Sequence, residues 1–170
     1  AAYSLRNLSS SYSGNVVEVR RSSDDTTQNF TATEVTDGTL LAFVGTSGSD
    51  NGFVKTWYDQ SGNSNNAVQA TASDQPKIVS SGSLVTVGVD FTDGKLMTFT
   101  SISAKTVVGV NQLTNTADFN YLVGRNTGDG GVRTSFGNGL FIGADTGGGG
   151  SADFNNSGGS THVNGSQSSF

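Results

Sequence analysis

Cysteine is absent from this chain. That excludes a disulfide, a thiolate nucleophile and a cysteine-based zinc site, and it is compatible with assembly in a reducing compartment before release. Charge is also scarce: only 14% of residues are charged, against about 25% in an ordinary soluble domain. The net charge is −5, and the only basic pair, Arg20–Arg21, is followed at once by Asp24–Asp25. Nothing supplies the basic stripe that a nucleic acid requires, so no nucleic-acid partner is expected. No apolar run approaches the ~20 residues of a membrane-spanning helix, so no membrane insertion is expected either. Glutamate is nearly missing, with Glu18 and Glu34 alone.

What remains is glycine, 24 residues of it, together with serine, threonine and asparagine. These are poor helix formers and good turn formers, and they suit short strands joined by tight turns. Apolar clusters recur at Leu40–Val44, Phe53–Tyr58, Leu84–Phe91, Thr106–Val110 and Gly139–Ile142, a pattern that argues for a folded chain. Strands are expected at Asn15–Arg20, Phe53–Tyr58, Lys77–Val79, Leu84–Val89, Leu96–Phe99, Thr106–Val110, Tyr121–Gly124, Val132–Phe136, Gly139–Ile142 and Thr161–Val163. Segments at roughly ten-residue intervals point to a sandwich or barrel. Two short helices are expected. One is Ala2–Leu8, where Tyr3, Leu5 and Leu8 share a face; the other is Thr39–Val44, capped by Asp37 and closed by Gly45. The glycine tetrad Gly147–Gly150 is followed by no lysine, so it reads as a hairpin tip rather than a phosphate cradle. The chain is expected to be one domain spanning 1–170. Asn164-Gly165 marks a late hairpin turn, and a sandwich needs returning strands after it, so the natural domain is expected to continue beyond Phe170.

The segment Tyr58-Asp59-Gln60-Ser61-Gly62-Asn63 stands out. Trp57 and Tyr58 point to opposite faces of a strand, so one of them should enter the core. Phe53, Lys55 and Trp57 should share one side. Asp59, Ser61 and Asn63 can bond neighbouring amides, and Gly62 can take positive φ, which makes the loop self-bracing. The alternative is an oxygen-rich calcium loop through Asp59 and Asn63. The self-braced reading is preferred, with no cofactor and no metal site expected.

Two stretches carry a family resemblance. Tyr3–Arg6, Ser11–Gly14 and Val17–Gln28 form the first; Phe53–Asn63, Asn65–Ala70 and Gln75–Val79 form the second. Together they resemble the catalytic domain of the α-L-arabinofuranosidase B family, and also its non-enzymatic relatives in phage and bacterial surface proteins. The resemblance covers about the first half of the chain. It implies an all-β fold, an antiparallel β-sandwich of the concanavalin A-like jelly-roll type.

The same resemblance implies a glutamate nucleophile in the second half of the domain, and no glutamate follows Glu34. Arg125 and Asn126 stand where it would be sought, and the family's cysteines are missing. Glycoside hydrolysis needs two facing carboxylates. Asp118, Asp129, Asp145 and Asp153 remain as possible acids, and aspartates beside glycine or asparagine are usually turn residues. The single histidine, His162, has no second metal ligand or triad partner in its neighbourhood. No catalytic residue is therefore assigned, and the chain is expected not to be an enzyme. The leading expectation is a virion or extracellular structural module (fibre, tail or capsid surface) whose partners are other virion subunits, copies of itself or a host-surface glycan. A carbohydrate-binding module and an inactive arabinofuranosidase-like fragment stay open. Trp57, Tyr58 and Tyr121 are the candidates for stacking on sugar rings if exposed.

Overall fold

The computed structural model describes residues 1–86, 88–92, 94–100, 108–110, 120–124, 131–135, 139–145 and 151–153. The chain divides into two compact units, Ala1–Ser103 and Ala104–Phe170. Every strand pairing described within them is antiparallel. The all-β, sandwich-like class read from the sequence is the class observed, with two short helices.

The first unit holds a six-stranded sheet. Its strands are β1 (Asn15–Arg21), β2 (Thr27–Thr31), β3 (Gly52–Trp57), β4 (Ala67–Val68), β5 (Lys77–Ser80) and β6 (Ser83–Leu84). The order is β2-β1-β3-β5-β6, with β4 also pairing β3. One face is apolar by alternation along the strands. Val17 and Val19 of β1, Phe30 of β2, Val54 of β3 and Val79 of β5 are all 0% exposed. The helices α1 (Ala32–Thr36) and α2 (Thr39–Val44) add Val35, Leu40 and Val44 to the same buried cluster. Each such side chain contributes about 1.5–3 kcal/mol of burial.

Local chemistry explains both helices. Thr31 caps α1: its hydroxyl accepts from the Glu34 amide at 3.4 Å, and the Glu34 carboxylate accepts from the Thr31 amide at 2.8 Å. This is a reciprocal capping box. In α2 the cap position is Gly38 at φ +97°, the Thr39 amide donates to Asp37 Oδ1 at 2.9 Å, and Gly45 closes the helix by donating to the Leu41 carbonyl at 2.8 Å.

The helix expected at 2–8 does not form. The segment forms no regular element and carries bends, because its backbone groups are taken by the loop that follows β3. The Ala2 amide donates to Asp59, the Ala2 carbonyl accepts from the Gln60 amide, and the Gln60 side chain bonds Ser4, Arg6 and Leu8. Two expected strands shrink as well. Leu84–Val89 is strand only at Ser83–Leu84, since the Gly88 amide, with Gly88 at φ +107°, bonds back to the Val85 carbonyl and turns the chain. Leu96–Phe99 makes a single bridge, Thr98 to Val68.

The second unit contains a four-stranded meander, β10-β9-β8-β7. Its strands are β7 (Asn120–Gly124), β8 (Gly131–Ser135), β9 (Gly139–Asp145) and β10 (Ser151–Asp153). Asp145 lies opposite Ser151. The Gly147–Gly150 tetrad, residues 106–107, the 161–163 segment and the positions Asp118, Arg125, Asn126, Asp129 and His162 lie outside the described residues.

Candidate functional site

The loop after β3 is built around Asp59, which is 6% exposed. Its Oδ1 accepts from the Ala2 amide at 2.7 Å and the Ser61 amide at 2.9 Å. Its Oδ2 accepts from the Ser61 hydroxyl at 2.8 Å and the Asn65 amide at 3.1 Å. The Asp59 amide in turn donates to Asn66 Oδ1 at 2.9 Å, and Asn63 donates to the Ser61 hydroxyl at 3.0 Å. Burial opposes ionisation of this carboxyl, but the bonds from Ser61, Ala2 and Asn65 prevail and hold its pKa down at about 2. Four N–H and O–H donors thus converge on the two oxygens of the Asp59 carboxylate. Among the described residues no group of three or more acidic or histidine side chains is placed to hold a metal. Tyr3 joins the loop by donating its hydroxyl to the Asn65 carbonyl. Burial, with Asp59 nearby, pushes the Tyr3 phenol up to about 12.

A bulge in β3 decides where the aromatic candidates go. Val17 lies opposite Trp57 and Glu18 opposite Thr56, but Val19 lies opposite Val54. Lys55 is therefore an extra residue, and the facing of the strand switches across it. Phe53, opposite Arg20, stays on the outer face, while Trp57 packs against the core. The expectation that Phe53, Lys55 and Trp57 share one side fails at this bulge. Trp57 is flanked by Tyr3, with ring centroids 6.1 Å apart, and by Phe91 at 6.4 Å and 24°. Its indole nitrogen is buried without a partner. Tyr58 is half-buried, and its hydroxyl donates to Asn29 Oδ1 at 2.8 Å. Burial, with Glu18 close by, raises its pKa. Tyr121 sits on β7 opposite Arg133, in the second unit.

Both glutamates are engaged. Glu18 accepts from Lys55 Nζ at 2.9 Å and from the Thr56 hydroxyl at 2.8 Å. Burial works against its ionisation, yet Lys55, Thr56 and Thr27 together lower its pKa. Glu34 belongs to the capping box, and its bonds from Thr31 lower its pKa too.

The outer face of the sheet carries an open cleft of about 460 Å³, which the motif analysis missed. Arg20 and Phe53 form its floor, with Lys77, Asp90, Thr92 and Lys95 around it. The Arg20 guanidinium lies 4.6 Å over the Phe53 ring, and its Nε donates to Gln75 Oε1 at 2.8 Å. Gln75 is 1% exposed and braced by the Gln69 carbonyl. The signal in the sequence was alternation: Glu18 and Arg20 lie two apart on the face opposite Val17 and Val19.

Comparison with known proteins gives one positive result. The family model described as "Alpha-L-arabinofuranosidase B, catalytic" matches residues 1–92. No curated protein and no solved structure matches the chain.

Proposed function

The chain belongs to the alpha-L-arabinofuranosidase B catalytic-domain family, and from that premise we propose that it is a glycan-binding module that does not hydrolyse its ligand. We further place it outside the cytoplasm on an extracellular particle, a virion included, where it packs against other subunits or copies of itself.

One observation carries the non-hydrolytic part. A glycosidase needs one carboxyl held protonated near neutral pH, with a second carboxylate across the substrate. The chain's two glutamates are both biased the other way: Glu18 is held ionised by Lys55 and Thr56, and Glu34 by its helix cap. The aspartate at the heart of the family-matched loop is consumed by four donors from its own surroundings. These groups brace a scaffold. The particle setting draws on the polar, weakly charged, cysteine-free composition.

The test has two arms. The purified protein is incubated with arabinofuranosyl substrates and released sugar is compared with a boiled control; no release is expected. It is then titrated calorimetrically against soluble neutral and acidic oligosaccharides, and saturable binding is expected. Turnover that disappears in Glu18→Gln would replace this reading with an enzymatic one. Failure to bind any sugar would remove the binding role.

A further inference from the structure

Resting on the glycan-binding reading, we infer that the cleft over Arg20 and Phe53 is the sugar site, and that it takes an uncharged sugar residue whose two adjacent hydroxyls are bridged by Lys77 and Asp90.

The site is assembled across the outer face of the sheet. Arg20 of β1 lies opposite Phe53 of β3, Phe53 lies opposite Lys77 of β5, and Lys77 forms an isolated antiparallel bridge with Asp90. Directly opposed residues share a face, so the four stand in one row, and all four line the cleft. The last step of the row is fixed by a double backbone clamp. The Lys77 amide donates to the Asp90 carbonyl at 3.0 Å, and the Asp90 amide donates to the Lys77 carbonyl at 2.8 Å.

The floor is held in place. The Arg20 guanidinium stacks over Phe53 and donates from its three nitrogens to Gln75, Asp25 and the Ala72 carbonyl. Each nitrogen has an acceptor, so Arg20 serves as a surface rather than as a free charge.

Charge balance selects the ligand. Arg20, Lys77 and Lys95 stand against Asp25, Asp90, Asp74 and, in the sequence, Asp93. No positive excess favours an acidic ligand. Lys77 and Asp90 are matched across their bridge, yet the three ion pairs found among the described residues involve neither. Asp90 Oδ1 accepts from the Thr92 amide at 2.9 Å, and among the described residues Oδ2 has no hydrogen-bond partner. An ammonium and a carboxylate oxygen are thus available side by side. A neutral diol uses both at once: one hydroxyl oxygen accepts from Lys77, the adjacent hydroxyl donates to Asp90, and both bonds are charge-assisted. The volume lies within the range of small-ligand sites, about 300–1,000 Å³.

The experiment is calorimetric titration of the intact chain with an arabino-oligosaccharide and a cello-oligosaccharide. An oligogalacturonate and free glycine at matched ionic strength run alongside. A neutral sugar should bind, the oligogalacturonate should bind more weakly, and glycine should not compete. Lys77→Met and Asp90→Asn should each weaken the neutral sugar about tenfold or more, as loss of a hydrogen bond to a charged group predicts. Asp90→Asn should at the same time strengthen the oligogalacturonate, because Lys77 is then unopposed. Thermal unfolding of each variant checks that it is folded, and Asp90→Asn, which keeps an Oδ1 acceptor for the Thr92 amide, keeps the test open if Lys77→Met unfolds. Parent affinity for the neutral sugar in both variants would overturn the site. Binding of the oligogalacturonate alone would overturn the uncharged ligand while leaving the glycan-binding reading intact. Glycine competing as well as the sugar would reduce the cleft to a zwitterion site and overturn the inference. Binding of none of the three sugars would take the glycan-binding reading down with it.

Discussion

Replacing Asp59 tests the loop most directly, because one side chain satisfies four donors. In Asp59→Ala the amides of Ala2, Ser61 and Asn65 and the Ser61 hydroxyl all lose their acceptor. A hydrogen bond to a charged group is worth about 1.5–3 kcal/mol net. The Ser61 groups lie nearest solvent-exposed positions and recover water, so the four do not add in full. An expected loss of about 3 kcal/mol follows, dominated by the amides of Ala2 and Asn65 that tie separate segments together. Asp59→Asn keeps one acceptor oxygen and replaces the other by an amide nitrogen, so about half that loss is expected. Urea unfolding followed through Trp57, the single tryptophan, is the assay. The probe adjoins the mutated residue, so far-UV circular dichroism should be recorded beside it. The pH dependence gives an independent reading. A carboxyl whose pKa is lowered on folding stabilises the protein above its unfolded value, near 3.9, and the contribution vanishes as pH falls through the folded value of about 2. That difference corresponds to about 2.6 kcal/mol, lost between about pH 4 and pH 2 in the parent and absent from Asp59→Asn. An Ala variant within about 0.5 kcal/mol of the parent, the spread of ordinary surface changes, would refute the bracing argument. So would an unchanged acid profile in the Asn variant.

Two further substitutions probe the frame that holds the sheet face. Gly52→Ala places a Cβ 2.9 Å from a Val44 methyl and 3.2 Å from Val19 and Val79; overpacking there should cost about 1–3 kcal/mol in urea unfolding, with the fold retained. Thr31→Ala removes the cap of α1 and should cost about 1 kcal/mol by the same measurement.

The strands of the first unit were legible where alternation or β-branched residues dominated. Val17 and Val19 announce β1, and Lys77–Val79 announces β5. Helix α2 was legible because Asp37, Gly38 and Gly45 punctuate it. Helix α1 was equally readable, since Thr31-Ala32-Thr33-Glu34 has the spacing of a capping box, but a threonine-rich stretch looks like a loop when composition is weighed before spacing. The 2–8 segment misled for the opposite reason. Its apolar spacing is helical, yet Asp59 and Gln60, more than fifty residues away, offer its backbone better partners, and no local pattern reports that. The self-bracing of Asp59 could be read from its own neighbours, but the part Ala2 plays could not.

The bulge at Lys55 is the step that sequence periodicity cannot supply, and it redistributes the aromatic side chains between scaffold and surface. A strictly alternating β3 would put Phe53 and Trp57 on one face, and Trp57, larger and amphipathic, would be the natural platform for a sugar ring. With one residue inserted, Trp57 turns inward to join Tyr3 and Phe91, and Ala67, its partner on β4, is buried beside it at 5% exposure. Val68, opposite Thr56, is left on the outer face at 43% exposure. The insertion also sets Lys55 and Thr56 side by side against Glu18, which explains why that carboxylate is bonded by two consecutive residues of one strand. What then faces outward next to the cleft is Phe53, already covered on one side by Arg20. The exposed aromatic surface of β3 is therefore Phe53 under a guanidinium, while the tryptophan is spent on the core, so exposure of Trp57 cannot be inferred from its place in the strand.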